Sequence, residues 1–164
     1  YPGGPEIEKK ATKGNVNAFE LPHPLEEKNN LSFSFSGIKT AVNLLIKKEN
    51  KLSNMFVNDM AASFQNKVCD ILISKLNLTI SFLRKRSLNI SQVSLVGGVA
   101  ANEFINKSLT KEASRHSYSI IIPPKYMLSD NAAMIAWACL KKYKKNYKSD
   151  IFFKPDPRLT INNK

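Results

Sequence analysis

The stretch that decides the fold reads Val93-Ser94-Leu95-Val96-Gly97-Gly98-Val99-Ala100-Ala101-Asn102. The apolar residues before the glycine pair predict a buried strand, and Asn102 marks a position where a helix can begin. A strand that ends at glycines lets backbone amides approach a ligand closely, because no Cβ is in the way. The first N–H groups of the following helix would face the same space, which favours a nucleotide or another anion. The pattern also fits a simple tight turn, so it defines a candidate site and not yet a function.

A second apolar run, residues 119–122, follows this stretch and ends at Pro123-Pro124. Helical spacing from about residue 102 to residue 115 completes a strand–helix–strand order. That order predicts a βαβ unit with parallel strands and a right-handed crossover. Because ligands in such sheets bind beyond the carboxyl ends of the strands, we expect the Gly97-Gly98 turn and the segment after Ile122 to face one cleft.

Four more helices are predicted, and in the longest of them apolar residues recur at three- and four-residue steps. They cover residues 7–13, 38–50, 54–86 and 131–147, and the third is the longest. Phe33-Ser34-Phe35-Ser36 alternates apolar and polar residues before Gly37, which predicts a short half-buried strand. The fold class expected from these elements is α/β, with a parallel sheet and flanking helices.

The chain is strongly basic: its 164 residues carry a formal net charge of +12, with 21 lysines and 4 arginines. Drift in an AT-rich genome would produce this bias, and so would a polyanionic partner such as RNA. A membrane surface fits less well, because no basic amphipathic helix stands alone. The clearest basic clusters are Arg84-Lys85-Arg86 and the lysines at 141, 142, 144, 145 and 148. Each cluster is either a solvated helix end or a nucleic-acid contact.

The cysteines and the apolar runs indicate the environment. Cys69 and Cys139 lie in apolar helical patterns without metal-site spacing, so we expect core thiols in a reducing cytosol. The apolar runs are too short to cross a bilayer and no signal peptide is visible, so we expect no membrane partner. The opening, Tyr1-Pro2-Gly3-Gly4-Pro5, lacks an initiator methionine and suggests the continuation of a longer sequence.

Two carboxylates are candidate ligand residues. Asp130 precedes the last predicted helix and is either an N-cap, which the spacing favours, or a carboxylate for a metal or phosphate at the cleft. One carboxylate alone does not define a metal site. Gly4, in a predicted turn, would let a ligand approach the backbone, and Glu8 could accept hydrogen bonds from ribose hydroxyls. His23 and His116 are expected to be exposed and without a catalytic role.

Five motifs follow one another along nearly the whole chain, from Tyr1 to about Arg158. They are Tyr1-Pro2-Gly3-Gly4-Pro5-Glu6-Ile7-Glu8-Lys9, Phe33-Ser34-Phe35-Ser36-Gly37-Ile38-Lys39-Thr40-Ala41-Val42, Asp59-Met60-Ala61-Ala62-Ser63-Phe64-Gln65, Gly97-Gly98-Val99-Ala100-Ala101-Asn102 and Ser129-Asp130-Asn131-Ala132-Ala133-Met134-Ile135-Ala136-Trp137-Ala138. Together they resemble the TsaD family, the bacterial and organellar enzymes of tRNA threonylcarbamoyladenosine synthesis, formerly described as O-sialoglycoprotein endopeptidases. A protease is not supported, because the chain has no H-E-x-x-H motif and no nucleophile–base pair.

The resemblance implies an actin/Hsp70/sugar-kinase-like (ASKHA) fold of two α/β lobes, of which this chain would be the C-terminal lobe. Residues 1–36 would form an inter-lobe segment with the Pro-Gly-Gly-Pro nucleotide contact, residues 37–150 the C-terminal α/β lobe, and residues 151–164 an irregular tail. The implied activity is acyl transfer: threonylcarbamoyl moves from threonylcarbamoyl-AMP to N6 of the adenosine 3′ of the anticodon, in tRNAs reading A-starting codons. No residue of this chain is assigned a catalytic role.

Matched residue by residue, the resemblance places Gly4, Glu8 and Asn102 at the nucleotide and Asp130 at an iron or zinc ion. The family's two metal-binding histidines, its phosphate loop and a substrate-binding aspartate lie upstream of the Pro-Gly-Gly-Pro motif. We therefore expect one divalent metal shared with a missing N-terminal lobe, and no activity from this chain alone. Leu128-Ser129 departs from the family's usual Cys-Thr pair beside Asp130.

The resemblance also implies partners and leaves two other classes open. The implied partners are tRNA and, in a bacterium, the TsaB and TsaE proteins, or a second copy in a mitochondrion; the compartment is then the cytoplasm or the mitochondrion. Half of an ASKHA-type small-molecule kinase would instead use the cleft for ATP. A non-catalytic scaffold paralogue such as TsaB would need no metal carboxylate, so Asp130 argues against it.

Overall fold

The computed structural model of the chain describes residues 2–23, 30–148, 152 and 154. Its elements are, in chain order, α1 (Gly3–Ala11), α2 (Ser36–Lys48), α3 (Asn54–Lys85), β1 (Gln92–Ser94), α4 (Glu103–Arg115), β2 (Ser119–Ile121) and α5 (Ala132–Lys144). Short 3₁₀ turns lie at Gly98–Ala101 and Lys125–Met127. The chain divides into two compact units, Tyr1–Ser129 and Asp130–Lys164. Among the described residues, no helix is both long enough and apolar enough to cross a membrane.

Helix α3 is the centre of the first unit. Its 32 residues follow the N-cap Ser53, whose hydroxyl accepts a hydrogen bond from the Phe56 N–H at 3.1 Å. A serine at this position satisfies a backbone donor that has no partner within the helix. Helices α1, α2 and α4 all pack against α3, and Ile38 of α2 is fully buried beside Ile71. The predicted helix over residues 54–86 is confirmed.

Helix α1 begins earlier than the sequence predicts. Gly3, Gly4 and Pro5 form the first turn of the helix instead of a separate turn before residue 7. Proline is tolerated there, because the first N–H groups of a helix have no carbonyl partner within it. Near its other end, α1 packs Ala11 against Ala61 of α3. These small side chains let the two helices lie close together.

The chain directly after α1 is fixed against α3. Gly14 approaches the α3 backbone so closely that a Cβ at this position would overlap the carbonyl group of Asn58. The next residue secures the approach, since the Asn15 N–H donates to Asp59 Oδ1 at 2.7 Å. Farther along α3, the buried Ser63 hydroxyl donates to the Asn15 carbonyl at 3.3 Å. The position of α1 is therefore determined by backbone contacts as well as by apolar packing.

Strands β1 and β2 form a two-stranded parallel sheet, which confirms the predicted βαβ order. Val93 lies opposite Ile120, and the Leu95 N–H donates to the Ile121 carbonyl at 3.0 Å. Helix α4 connects the strands and packs against α3 over a buried apolar cluster. The cluster consists of Cys69, Ile105 and Leu109. The Cys69 thiol is thus in the core, as predicted, and its burial raises its pKa.

Residues 33–36 do not form the predicted strand. Ser36 is the first residue of α2, and the rings of Phe33 and Phe35 stack with their centroids 6.1 Å apart. Alternation over four residues specifies a strand only where a neighbouring strand supplies hydrogen bonds. The only sheet in the described part of the chain is β1–β2, so these residues have no partner strand there. Burial of Ile38 on α3 favours the helix instead.

The second unit contains α5. Its N-cap is Asn131, whose side-chain oxygen accepts a hydrogen bond from the Met134 N–H at 3.1 Å. No residue of α5 is buried, so Cys139 is exposed and its predicted core position is wrong. The physical reason is that α5 is the only helix or strand described in this unit, so no other described element of the unit packs on it. The Lys141 ammonium lies over the Trp137 ring, 4.7 Å from its centroid.

Candidate functional site

The N-terminus of α4 meets a carboxylate from α1. Glu8 Oε1 accepts a hydrogen bond of 2.7 Å from the backbone N–H of Glu103, the first residue of α4. Negative charge is favoured at this end of a helix, because the first N–H groups are unpaired and the helix dipole is positive there. The sequence predicts that these N–H groups face an anion. In the structure, one of them is already satisfied by an anion from within the chain.

Asn102 is the N-cap of α4 and is held at both ends of its amide. Its Oδ1 accepts a hydrogen bond from the Ile105 N–H at 2.9 Å, and its Nδ2 donates to Gln65 Oε1 at 2.7 Å. A side-chain amide has two N–H groups and two lone pairs on its oxygen. Each end of the Asn102 amide therefore keeps one further hydrogen-bonding position for a ligand.

The glycine pair after β1 has a conformational explanation. Gly97 has φ +88°, a region that L-residues rarely adopt, and its carbonyl accepts a hydrogen bond from the Ala100 N–H at 3.0 Å. A glycine permits this backbone without steric cost. A Cβ at Gly97 or Gly98 would have no protein atom within 4 Å. The space beside both glycines is therefore open on the protein side.

Gly4 and Glu8 are one helical turn apart on the same side of α1. A Cβ at Gly4 would also have no protein atom within 4 Å. Since Glu8 contacts Glu103 and Asn102 immediately precedes it, the structure brings the predicted residues Glu8 and Asn102 together. Gly4 lies one turn away from that meeting point along α1.

The segment after β2 also reaches the start of α4. Lys125 Nζ lies 3.5 Å from Glu103 Oε1, with both side chains largely exposed. An ion pair this exposed contributes little free energy. Its value is geometric, because it shows that the segment after β2 approaches the first residue of α4.

Asp130 is exposed at the first position of the second unit. The cap of α5 is Asn131, so the interpretation of Asp130 as the N-cap is wrong. In the described part of the chain, no group of three or more histidine, cysteine, aspartate or glutamate side chains could hold a metal ion. Because a tight iron or zinc site needs several such donors, Asp130 alone does not account for one.

Sequence reasoning missed Gln65 as a site residue. It is 8% exposed, and it is the acceptor that holds the Asn102 amide. Its signal is visible in retrospect: Ala61, Gln65 and Cys69 recur at four-residue steps on α3, and all three are buried. A polar residue in such a buried row needs a hydrogen-bond partner, because an unpaired buried amide is costly.

A second polar cluster joins α3 to the end of α4. Glu112 accepts hydrogen bonds from Asn77 Nδ2 at 2.8 Å and from Arg115 Nη1 at 2.7 Å. The hydrogen bond from Asn77, followed by that from Arg115, holds the pKa of Glu112 below its usual value. His116 Nε2 lies 3.6 Å from Glu112 Oε1, and the ring is half-buried instead of exposed as predicted. His23 is half-buried as well.

The basic cluster at the end of α3 has contacts within the chain. Arg84 donates to the His116 carbonyl at 3.0 Å, and the Arg86 guanidinium lies 4.3 Å from the centroid of the Phe82 ring. In the second unit, Lys142 Nζ lies 5.0 Å from the centroid of the Tyr147 ring. The arginines thus have a structural role that the sequence did not predict.

A βαβ domain with a polar site at the start of its crossover helix is the class that these observations define. The sequence matches the TsaD family, described as tRNA N6-adenosine threonylcarbamoyltransferase, over residues 1–137. The chain belongs to the TsaD family.

Proteins named tRNA N6-adenosine threonylcarbamoyltransferase resemble almost all of the chain. The relative from Thermosipho africanus is 42% identical over 161 residues, which are 98% of this chain and 47% of the relative. The relative from Rickettsia massiliae is 39% identical over 163 residues, with the same two coverages of 98% and 47%. The relative from Ehrlichia canis is 38% identical over 161 residues, 98% of this chain and 46% of its own length. The chain thus spans about half the length of these curated relatives.

Proposed function

We propose that this chain is the C-terminal half of an acyltransferase that modifies tRNA. The complete protein would transfer threonylcarbamoyl from threonylcarbamoyl-AMP to N6 of the adenosine 3′ of the anticodon, in tRNAs reading A-starting codons. Family membership over residues 1–137 supports the transferase class. The observation that carries the proposal is the meeting of Glu8 and Asn102 at the start of α4, through the 2.7 Å hydrogen bond to Glu103.

The proposed nucleotide site uses hydrogen-bonding positions that the fold leaves available. Asn102 offers one N–H and one lone pair beyond its bonds to Ile105 and Gln65. Glu8 accepts a hydrogen bond from the Glu103 N–H through Oε1, and Oε2 would accept one from a ribose hydroxyl. Gly4 presents no side chain on the same side of α1, which leaves room for the nucleotide beside it.

The proposed role of Asp130 is one oxygen ligand of a divalent metal ion, iron or zinc. The described residues supply no further donors around it, so the remaining ligands would come from the half of the relatives that this chain does not span. An ion bound there would act as a Lewis acid and a template. Asn131 holds the end of α5 without help from Asp130, which leaves the Asp130 carboxylate available for such a role.

The proposed assembly follows from the same family membership. The isolated chain would be inactive, because the transfer would need both halves of the protein. tRNA would contact the exposed lysines of α5, and the other partners would be TsaB and TsaE, or a second copy in a mitochondrial protein. The proposed compartment is the cytoplasm, with the mitochondrion as the alternative.

The proposal is tested in a chimera. This chain is joined to the half of the Thermosipho africanus relative that it does not match, and tRNA is incubated with threonylcarbamoyl-AMP. We expect threonylcarbamoyladenosine in the nucleoside digest by mass spectrometry, and none from the chain alone. Asn102→Ala should weaken binding of a non-hydrolysable adenylate by about ten- to a hundredfold, from the loss of one or two hydrogen bonds.

The outcomes separate the competing classes. ATP-dependent phosphorylation of a small molecule without modified tRNA would indicate the kinase. A complex with partner proteins but no transfer would indicate the scaffold. Unchanged affinity for the adenylate in Asn102→Ala would place the nucleotide elsewhere, because the residue would then be only the cap of α4.

A further inference from the structure

The Asn102 amide is fixed by two partners with opposite requirements. The Ile105 N–H is a donor and needs Oδ1, whereas Gln65 Oε1 is an acceptor and needs Nδ2. If the amide turned over, a donor would face a donor and an acceptor would face an acceptor. The pair therefore selects one of the two amide orientations, and the remaining N–H of Asn102 points in a single direction.

Gln65 is well placed to impose this choice. It is 8% exposed, and it projects from α3, the longest helix of the chain. Buried side chains in a packed helix keep few rotamers, so the Gln65 side chain lies beside Asn102 before any ligand arrives. The neighbouring Asn106 Nδ2 donates to the Ala100 carbonyl at 2.6 Å and thereby restrains the loop on the other side of Asn102.

We propose that Gln65 is a positioning residue for nucleotide binding, which acts by holding the Asn102 amide in one orientation. This inference rests on the proposed function, because it requires that Asn102 contacts the nucleotide. Gln65 itself touches no ligand. Its loss leaves Asn102 Oδ1 on the Ile105 N–H as the cap of α4 but removes the anchor of Nδ2, so the amide plane can tilt about the remaining hydrogen bond. A hydrogen bond to the nucleotide then carries the added cost of ordering the side chain.

A purely structural role for Gln65 would give a different result. Loss of a buried hydrogen bond lowers the stability of the fold and reduces the folded fraction equally for every substrate. A positioning role instead raises the KM for the adenylate while leaving the KM for tRNA unchanged. The two substrates of one reaction thus provide an internal comparison.

The experiment compares variants in the chimeric full-length protein, at a temperature well below the midpoint of thermal unfolding. Gln65→Met removes the acceptor and keeps the length of the side chain, whereas Gln65→Glu keeps an oxygen at the same place. Gln92→Met is the matched control, since Gln92 is the only other glutamine and is exposed in β1. The probe is a non-hydrolysable threonylcarbamoyl-adenylate, titrated by calorimetry.

We expect the Kd of the probe to rise about tenfold in Gln65→Met, to stay within about threefold in Gln65→Glu, and to be unchanged in Gln92→Met. Adding Gln65→Met to Asn102→Ala should have no further effect, because the group that Gln65 positions is then gone. If Gln65→Met does not fold, Gln65→Ser removes the same acceptor with less apolar bulk and must give the same increase in Kd.

Three results would overturn different claims. If Asn102→Ala weakens binding but the Gln65 variants without the acceptor bind like the original protein, the positioning role is wrong and the proposed site stands. If Asn102→Ala itself binds normally, the assignment of Asn102 to the nucleotide is wrong, and the role of Gln65 falls with it. A lower apparent kcat in Gln65→Met with the KM of both substrates unchanged would indicate a structural role only.

Discussion

Glu8 in α1 and Glu103 at the start of α4 are joined by a hydrogen bond of 2.7 Å across 95 positions of sequence. The acceptor is a side-chain carboxylate, and the donor is a backbone N–H at the positive end of a helix. Helix α1 therefore does two things: it packs Ala11 on α3 and supplies an anion to α4. The positions of the two helices depend on each other through this contact.

Glu8→Ala removes the acceptor from the Glu103 N–H. We expect a loss of about 0.5–1.5 kcal/mol in the free energy of unfolding, and a smaller loss in Glu8→Gln, which keeps a side-chain oxygen. The measurement is urea unfolding of the chain followed by circular dichroism. Glu6→Ala is the control, because Glu6 lies in the same helix and is exposed. Equal losses in the two alanine variants would show that the contact with Glu103 contributes nothing.

Gly14→Ala places a methyl group where the Asn58 carbonyl already lies. Because the obstacle is backbone within α3, it cannot move aside as a flexible side chain would, and we expect a loss of about 2–3 kcal/mol. Gly98→Ala is the matched control, since a Cβ there has no protein atom within 4 Å. The free energy of unfolding measured in urea separates the two. A loss in Gly14→Ala no larger than that in Gly98→Ala would contradict the close approach.

We expect the acid stability of the chain to depend in part on Glu112. Its pKa is lowered in the folded state by the hydrogen bonds from Asn77 and Arg115, so its contribution is complete above its ordinary pKa near 4.5. That contribution is lost as the pH falls from about 4.5 through the lower folded-state value. We expect Glu112→Gln to flatten the decline of the unfolding midpoint in this range. Glu103→Gln, an exposed residue of the same helix, should leave the decline unchanged; identical profiles for all three proteins would contradict the shift.

Asp130→Asn tests the metal proposal without disturbing the fold. Asn131 caps α5, so the change should leave thermal unfolding unaffected, whereas Asn131→Ala should cost about 1 kcal/mol through loss of the cap. In the chimeric full-length protein, we expect about one ion by elemental analysis and a reduced metal content in Asp130→Asn. The isolated chain should hold no stoichiometric iron or zinc. Full metal content and full transfer activity in Asp130→Asn would remove Asp130 from the ligand set.

The lysines of α5 are expected to contact tRNA. Replacing Lys141 and Lys144 of α5, and Lys145 directly after it, by glutamine should reduce the slope of log affinity against log salt concentration by about one unit for each lost phosphate contact. The same triple change at Lys47, Lys48 and Lys51, which are also exposed, is the control of equal charge. Filter binding at several salt concentrations gives both slopes. An unchanged slope in the α5 variant would identify these lysines as solvated residues only.

Local pattern was sufficient for the long elements of the fold. The three- and four-residue steps along α3 and the strand–helix–strand order around α4 involve many residues, and both predictions are confirmed. The alternation at residues 33–36 covers only four residues, which is too few to specify a strand. It is equally compatible with the observed structure, in which the rings of Phe33 and Phe35 stack on each other. The strand prediction failed because the burial of Ile38 on α3 favours a helix and outweighs so short a pattern.

The sequence identified individual residues of the candidate site, but it did not predict how they are arranged in space. Glu8 and Asn102 were identified separately, but their meeting depends on how α1 packs on α3, which no local spacing encodes. Gln65 was missed because its partner lies 37 positions away, and only that partner explains a buried amide in an apolar row. The N-cap of α5 was misassigned because Asp130 and Asn131 are adjacent and both residue types are common N-caps. In the structure the cap is Asn131.

Helix α3 bears α1 at Ala61 and the Asn102 amide at Gln65, one helical turn further on. The supports of both groups proposed to face the nucleotide therefore lie on neighbouring turns of one helix. If α3 tilts or shifts against the sheet, Glu8 and Asn102 move together with it. We therefore expect the distance between Glu8 and Asn102 to vary less during thermal motion than the position of either residue relative to the sheet. A ligand that contacts both residues would then meet a nearly constant spacing.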